Sequence, residues 1–100
     1  MTTNAPDFLA HRAGDAVAVA VKDVEPGQAA VGYLDGHDPE TVEVKASVPL
    51  GHKVALRDVP SGGEVTEYGL RVAIASADIS RGDYVHTHNV RSARWQNSVA

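Results

Sequence analysis

One nine-residue pattern occurs three times in this 100-residue chain and constrains its fold more than any other feature. The pattern reads [VI]-A-x-x-D-[VI]-x-x-G, and its copies begin at Val19, Val54 and Ile74. In each copy a short β-rich run leads to an aspartate, whose carboxylate can accept backbone N–H groups at a turn, and to a glycine, which lets the chain reverse. The copies start 35 residues (19 to 54) and 20 residues (54 to 74) apart, which excludes a solenoid of fixed period. They predict a compact all-β fold that reuses one corner, with structural roles for its three aspartates.

The composition agrees with this prediction. Hydrophobic residues make up 43% of the chain, and most of them are Val and Ala, of which Val favours strands. Clear strand patterns cover residues 17–24, 31–34, 41–48 and 84–90. The length suits one small domain. We expect a flexible arm at residues 1–15, a folded domain at residues 16–94 and a short tail at residues 95–100.

Charge and cysteine content exclude several classes of function. Nine Lys plus Arg against thirteen Asp plus Glu give a formal charge of −4, which argues against nucleic acid or an anionic membrane as partner. The absence of cysteine excludes disulfides, thiol nucleophiles and thiolate-bound zinc. We find no apolar run long enough to span a bilayer and no signal-like segment, so we expect a cytoplasmic location. An exposed strand edge and Val-rich faces favour self-association as a homo-oligomer.

The strongest candidate for a site is the sequence YVHTHN at residues 84–89. On a β-strand, the two-residue period would place His86 and His88 on one face with Tyr84. Two such imidazoles could bind a metal ion, hold an anionic substrate or transfer a proton. His52, which follows a Gly51 corner, is a third imidazole that could join them. Alternatively, one histidine faces solvent while the other bonds a backbone carbonyl.

Four further residues are candidates for substrate binding. Lys53 and Arg57 would share a strand face and could neutralise a carboxylate, although such a face is more often simply solvated. Arg91 follows the histidine segment and could contact substrate or an acidic partner surface, or belong to a solvated tail. Asn89 could bind a hydroxyl through its amide, but capping of a turn is the more common role.

Two motifs together resemble a known family. The sequences GHKVALRD at residues 51–58 and VHTHNV at residues 85–90 occur in the order and spacing of the SAF domain of altronate and galactarate dehydratases. This domain also forms the separate small subunit of related enzymes such as sulfolactate sulfo-lyase. The resemblance covers residues 16–94 and implies a β-clip fold, in which short strands fold over one another as in type III antifreeze proteins.

The resemblance also implies a function. It suggests a small lyase subunit that acts with a larger catalytic chain in β-elimination from a small hydroxylated or sulfonated carboxylic acid, such as altronate, galactarate or sulfolactate. His86 and His88 would serve as catalytic residues, because a histidine near neutral pKa can move the α-proton or protonate the leaving group. A divalent ion such as Fe²⁺, Mn²⁺ or Mg²⁺, held by His86 and His88, could stabilise the charge that develops on the carboxylate.

Two other functions remain open from the sequence. The chain could be a binding module without chemistry, as other antifreeze-like domains bind sugars or surfaces. It could also be a small metal-binding β protein that acts alone through His86, His88 and His52, but no carboxylate stands at a spacing that would complete such a site. A larger lyase chain that co-purifies with this one would favour the subunit.

Overall fold

The computed structural model describes residues 5–67, 70–86 and 89–92, and these ranges contain strands, turns and no helix. The all-β prediction is therefore confirmed. No helix in the described ranges has the length and apolar character needed to cross a bilayer. The nine strands are β1 (Phe8–Ala10), β2 (Val17–Ala20), β3 (Gly27–Tyr33), β4 (Glu40–Val44), β5 (Lys53–Ala55), β6 (Glu64–Glu67), β7 (Leu70–Ala75), β8 (Tyr84–Val85) and β9 (Val90–Ser92).

The strands form two sheets. The larger has six strands in the order β4-β3-β1-β2-β5-β8, and the smaller has three in the order β6-β7-β9. All pairs are antiparallel except β1 with β3. A backbone hydrogen bond from the N–H of Ala16 to the carbonyl of Thr66 joins the two sheets at 2.9 Å. An apolar cluster of small and β-branched side chains from both sheets fills the space between them.

The prediction of a flexible arm at residues 1–15 is wrong for the part that the structure describes. Strand β1 lies between β2 and β3 in the larger sheet, and Phe8 is fully buried. Asp7 extends this attachment, because its carboxylate accepts the N–H of Ala30 at 2.8 Å and forms an ion pair with Lys22 at 2.9 Å. The sequence pattern missed β1 because three residues are too few to show alternation, and because its main partner β3 is far along the chain.

The repeated corners are structural, as predicted, but their aspartates bind distant residues. We number the corners by their residues from aspartate to glycine: corner 1 is 23–27, corner 2 is 58–62 and corner 3 is 78–82. The carboxylate of Asp58 accepts the N–H of Arg81 at 2.8 Å, and that of Asp78 accepts the N–H of Ser61 at 2.9 Å. Corners 2 and 3 thus hold each other through equivalent bonds. The expectation that each carboxylate accepts N–H groups at a turn is met by the turn of the partner corner and not by its own.

The alanine of the pattern has a role in the same pairing. Ala55 of the second copy accepts the N–H of Gly82 at 2.8 Å, and Ala75 of the third copy accepts the N–H of Gly62 at 2.7 Å. Both alanines are buried. The pattern therefore encodes two matched contacts, in which each copy supplies an aspartate and an alanine carbonyl to the corner of the other.

Corner 1 pairs with a fourth corner, residues 47–51, that the sequence pattern does not reveal. The carboxylate of Asp23 accepts the N–H of Leu50 at 2.9 Å, as the symmetry of corners 2 and 3 would require. Ser47 stands where the matching aspartate would lie. By the same symmetry, the partner of an aspartate at this position would be the backbone N–H of residue 26, but that residue is Pro26, which has no N–H. The hydroxyl of Ser47 instead lies 3.1 Å from the carboxylate of Glu25. Proline in corner 1 thus accounts for the missing aspartate in corner 4.

Candidate functional site

A cleft of about 370 Å³ lies between the two sheets and contains the candidate histidines that the structure describes. Its volume is within the range of ligand-binding sites, which begins at about 300 Å³. Side chains from both sheets line the cleft; its two imidazoles and Lys53 come from the larger-sheet side, and Glu67 comes from the smaller sheet. The lining residues are Gly51, His52, Lys53, Val65, Glu67, Val72, Ala73, Val85, His86 and Val90.

Three rings from two adjacent strand regions stand together at this cleft. The ring centroids of His52 and His86 are 4.7 Å apart, and those of Tyr84 and His86 are 5.7 Å apart with nearly parallel planes. Nδ1 of His52 lies 2.5 Å from the hydroxyl oxygen of Tyr84. The prediction that His52 joins the histidine of the YVHTHN segment is confirmed for His86. His88 lies outside the described residues, so its predicted roles stay predictions.

The backbone of His52 is held by two hydrogen bonds. Its N–H donates to the carbonyl of Pro49 at 2.9 Å across a turn, and its carbonyl accepts the N–H of Ala20 at 2.8 Å. The turn requires Gly51, whose φ of +86° lies in the left-handed region that residues with a Cβ rarely adopt. Corner 4 therefore fixes the backbone from which the His52 ring extends to the cleft.

The side chain of Asn89 binds the backbone of the other two ring residues, Tyr84 and His86. Its amide nitrogen donates to the carbonyl of Tyr84 at 2.8 Å, and its amide oxygen accepts the N–H of His86 at 2.9 Å. Asn89 is buried, with 6% of the residue exposed. Its contacts support the turn-capping role that was expected from the sequence as the more common one. The predicted substrate contact of Asn89 stays a prediction.

The continuous strand predicted for residues 84–90 is wrong. Strand β8 ends at Val85 in the larger sheet, and β9 begins at Val90 in the smaller sheet. The carbonyl of His86 accepts the N–H groups of Asn89 and Val90, which closes a turn between the strands. The alternation of the sequence could not show this turn, because it depends on the side chain of Asn89 binding the backbone. Tyr84 and His86 nevertheless lie on the same side, as expected.

The structure separates the two basic residues that we expected to share a face. Lys53 lies in β5 and lines the cleft. Glu67, which carries the opposite charge, lines the same cleft from the smaller sheet. Strand β5 ends at Ala55, so the alternation does not reach Arg57, which lines a different cavity of about 530 Å³. Arg91 lies in β9 opposite Ile74, and its side chain is outside the described part of the structure.

The second cavity contains a network that the sequence did not indicate. The hydroxyl of Tyr33 donates to the carboxylate of Glu40, which is also 3.2 Å from the guanidinium of Arg81. The hydrogen bond from Tyr33, followed by the nearby Arg81, holds the pKa of Glu40 below its usual value despite partial burial. Burial, and then the carboxylate of Glu40, raises the pKa of Tyr33. Arg81 also donates to the carbonyls of Leu56 and Thr41, so this network ties corner 3 to β4.

The described residues do not form a metal site by themselves. No group of three or more histidine, aspartate or glutamate side chains stands close enough within residues 5–67, 70–86 and 89–92 to hold a metal ion. His52 and His86 supply two imidazoles to the cleft, one fewer than the three protein ligands that catalytic zinc sites generally use. The metal predicted at His86 and His88 therefore stays a prediction.

Comparison with known proteins identifies the family. Residues 6–93 match the model of the altronate/galactarate dehydratase SAF domain. The chain belongs to this family. The match begins before Phe8, which agrees with the position of β1 inside the fold.

Two types of relative contain this SAF domain. Subunit alpha of (2R)-sulfolactate sulfo-lyase from Chromohalobacter salexigens is 40% identical over 91 residues, which are 89% of this chain and 97% of the relative. Altronate dehydratase from Escherichia coli is 39% identical over 85 residues, which are 85% of this chain and 16% of the relative. The SAF domain therefore occurs both as a chain of about this length and as a small part of a much longer one.

Proposed function

We propose that this SAF-domain chain is the small subunit of a lyase, which acts together with a larger catalytic chain. The observation that carries the proposal is the match over 97% of a sulfo-lyase subunit alpha, combined with a cleft that brings two imidazoles together. Because the matched region is only 16% of a longer dehydratase, we expect a separate small subunit to depend on a larger partner for the rest of the active site. The predicted partner is thus a larger lyase subunit.

The substrate that best suits the cleft is a small carboxylic acid with a β-hydroxyl or β-sulfonate group. Lys53 supplies a positive charge at the cleft, and the ring N–H groups of His52 and His86 can donate hydrogen bonds to anionic oxygens. Glu67 on the opposite sheet would repel an anion, so the carboxylate would lie on the side of Lys53. The described residues favour an anion without distinguishing altronate, galactarate and sulfolactate.

The reaction follows from this arrangement. A base removes the proton from the carbon next to the carboxylate, the carbon–carbon double bond forms, and the bond from the β carbon to oxygen or sulfur breaks. A sulfonate leaves as sulfite, whereas a hydroxyl leaves as water after it receives a proton from the protonated base or another acid of the site. His86 has an exposed ring at the cleft and can take up or return the proton. Negative charge collects on the carboxylate in the transition state, where Lys53 and the N–H of His52 would stabilise it.

The open side of the cleft offers a surface for the larger subunit. Leu50, next to the cleft residue Gly51, is 61% exposed, and Leu70 and Val72 on β7 are 64% and 38% exposed. Leu50 adjoins Gly51 in the chain and Val72 lines the cleft itself, and exposed apolar side chains beside a site favour contact with another chain. We expect the larger subunit to bind here, because contact at this rim would close the cleft and add its own residues to the site.

Substitution of His86 in the assembled enzyme tests the catalytic proposal. His86→Ala and the control His37→Ala, which changes a histidine beside Tyr33 in the second cavity, are each co-expressed with the larger lyase chain that co-purifies with the unsubstituted protein. Elimination is assayed with altronate, galactarate and sulfolactate. We expect the His86 variant to lose about 10²-fold or more in kcat while the control keeps its activity. Equal activity of the two variants would contradict a catalytic role for His86.

A matched pair of leucines tests the partner surface. Leu50 and Leu34 are 61% and 62% exposed, but Leu34 lines a different cavity with His11, Arg12 and Asp35. We expect Leu50→Glu to weaken co-purification with the larger chain and Leu34→Glu to leave it unchanged. The opposite pattern, or retention in both variants, would place the interface elsewhere.

A further inference from the structure

We propose that Tyr84 is a positioning residue of the cleft, whose hydroxyl donates to Nδ1 of His52 and keeps the imidazole proton on Nε2. The proposal deepens the proposed function and rests on it only for its consequence in catalysis. It assigns different roles to two histidines that the sequence treats alike. Three features support this role: the position of the Tyr84 ring, the length of its contact with His52 and the hydrogen bonds that hold both backbones.

The position of Tyr84 determines which side of the His52 ring faces the cleft. Tyr84 packs against the apolar cluster of the larger sheet and lies outside the cleft lining, whereas His52 belongs to that lining. The Nδ1 edge of His52 is turned towards the Tyr84 hydroxyl. Because the two nitrogens are on different edges of the imidazole, Nε2 remains for contact with a bound molecule.

Heavy-atom positions do not show the proton itself, but the short contact distance favours the Tyr84 hydroxyl as the donor. Hydroxyl donors form hydrogen bonds of about 2.5–3.0 Å to oxygen, whereas N–H donors form bonds of about 2.7–3.2 Å. The 2.5 Å between the Tyr84 oxygen and Nδ1 of His52 fits the hydroxyl as donor. A neutral imidazole that accepts at Nδ1 carries its proton on Nε2. His52 then presents an N–H to the cleft, and that nitrogen has no lone pair with which to remove a proton.

The backbone keeps the two partners in register. Tyr84 pairs with Val54, which lies two residues after His52 in the chain. The carbonyl of Tyr84 also accepts a hydrogen bond from the side-chain amide of Asn89. The N–H and carbonyl of His52 are both bonded within corner 4 and to Ala20. The backbone of both residues is therefore fixed, and rotation of the side chains is restrained by the contact of the Tyr84 hydroxyl with Nδ1 of His52 and by the packing of both rings against His86, so we infer that the tautomer is set before substrate binds.

The division of roles follows from this tautomer. His52 acts as a hydrogen-bond donor to the carboxylate oxygens or to the leaving group, and its proton stays in place. His86, whose ring is exposed beside the other two, remains as the group that takes up the α-proton. The role of His52 therefore depends on Tyr84, a residue that does not itself line the cleft.

NMR spectroscopy of the full ¹⁵N-labelled chain tests the proposal without substrate or partner. Two-bond ¹H–¹⁵N correlations of the histidine rings are recorded at about pH 8.5, some two units above the usual histidine pKa, where neutral imidazoles dominate. We expect His52 to be protonated on Nε2 and unprotonated on Nδ1. Tyr84→Phe keeps the ring but removes the hydroxyl, and should move the Nδ1 resonance towards that of an acceptor without a partner.

Tyr33→Phe is the matched control, because it removes a hydroxyl that is bonded to Glu40 in the second cavity. It should leave the His52 resonances unchanged. Protonation of His52 on Nδ1 in the unsubstituted chain would overturn the proposal. An Nδ1 resonance that is the same in the chain and in Tyr84→Phe would overturn it too.

Kinetics of the assembled lyase then separate this proposal from the proposed function. Tyr84→Phe should lower kcat about 2- to 10-fold, the factor expected from the loss of one neutral hydrogen bond. If the NMR result holds but no elimination is found for any acid, the proposed function fails and the tautomer assignment stands. If His86→Ala is inactive while His52 is protonated on Nδ1, the proposed function stands and the role of Tyr84 is refuted.

Discussion

Two glycines at equivalent positions of corners 2 and 3 allow the free-energy cost of a Cβ at each corner to be measured. Gly62 in corner 2 and Gly82 in corner 3 have φ values of +85° and +93°. A Cβ at Gly62 would meet nothing within 4 Å, whereas a Cβ at Gly82 would lie 2.1 Å from the carbonyl oxygen of Glu43. The same substitution to alanine therefore tests backbone conformation alone at one site and conformation plus a backbone collision at the other.

The structure gives the size of each effect. A residue with a Cβ in the left-handed region costs about 1–2 kcal/mol, which is the whole expected loss for Gly62→Ala. At Gly82 the Cβ must also move from 2.1 Å to at least 3.0 Å from a main-chain oxygen that no side-chain rotation can displace. That shift separates the corner from β4 and breaks the bond from the N–H of Lys45 to the Gly82 carbonyl. We expect Gly82→Ala to cost about 3–4 kcal/mol in total.

Urea unfolding of the two variants and the unsubstituted chain measures both values. Gly82→Ala should unfold at clearly lower urea concentration than Gly62→Ala, or fail to fold while Gly62→Ala remains folded. Equal midpoints would mean that corner 3 does not press against β4 as described. Because Gly82 is followed directly by Asp83 and then by Tyr84 at the start of β8, the same variant should also disturb the His52 resonances.

The other predictions concern the site and the pH dependence of stability. Asn89→Ala leaves the carbonyl of Tyr84 and the N–H of His86 without their partner, so we expect a loss of about 2–4 kcal/mol in urea unfolding together with reduced turnover of the assembled lyase. Retention of both stability and turnover would show that Asn89 does not organise the rings. The folded-state pKa of Glu40 is below its usual 4.5, so its contribution to stability is present above that value and is lost as pH falls through the lower folded value. Tyr33→Phe removes the main cause of this shift and should make thermal stability less dependent on pH below about 4.5, and an unchanged acid profile would contradict this.

The sequence predicts those parts of the fold that local patterns encode. The Asp-to-Gly corners and the Val-rich strands follow from the preferences of single residues, and the all-β class follows from them. The corner partners could not be predicted, because Asp58 and Asp78 bind backbone groups of each other's corners. Corner 4 was hidden because Glu43 and Val44 replace the first two residues of the pattern, and because Ser47 replaces the aspartate, for a reason that lies in Pro26 of another corner.

The candidate site was predicted in part. The side shared by Tyr84 and His86 follows from the two-residue period, and the proximity of His52 follows only from the pairing of β5 with β8. The turn at Asn89 could not be predicted from alternation, because a buried amide bonded to main chain leaves no periodic signal. The separation of Arg57 from Lys53 has a similar cause, since β5 ends before the alternation would bring them together.

The corner pairs also determine the order in which this molecule can fold. The aspartate bonds between corners join residues 17, 23 and 27 positions apart, and the contact of His52 with Tyr84 joins residues 32 positions apart. The entropy cost of closing a loop rises by about 0.6 kcal/mol per doubling of its length, so the 17-residue closure between corners 2 and 3 has a small advantage over the 32-residue ring contact, and we expect that corner pair to form in the folding nucleus before the ring cluster. Substitutions in the corners would then slow folding, whereas substitutions in the cleft would mainly speed unfolding. Cleft residues could therefore change during evolution, and with them the acid that is recognised, without making the domain slower to fold.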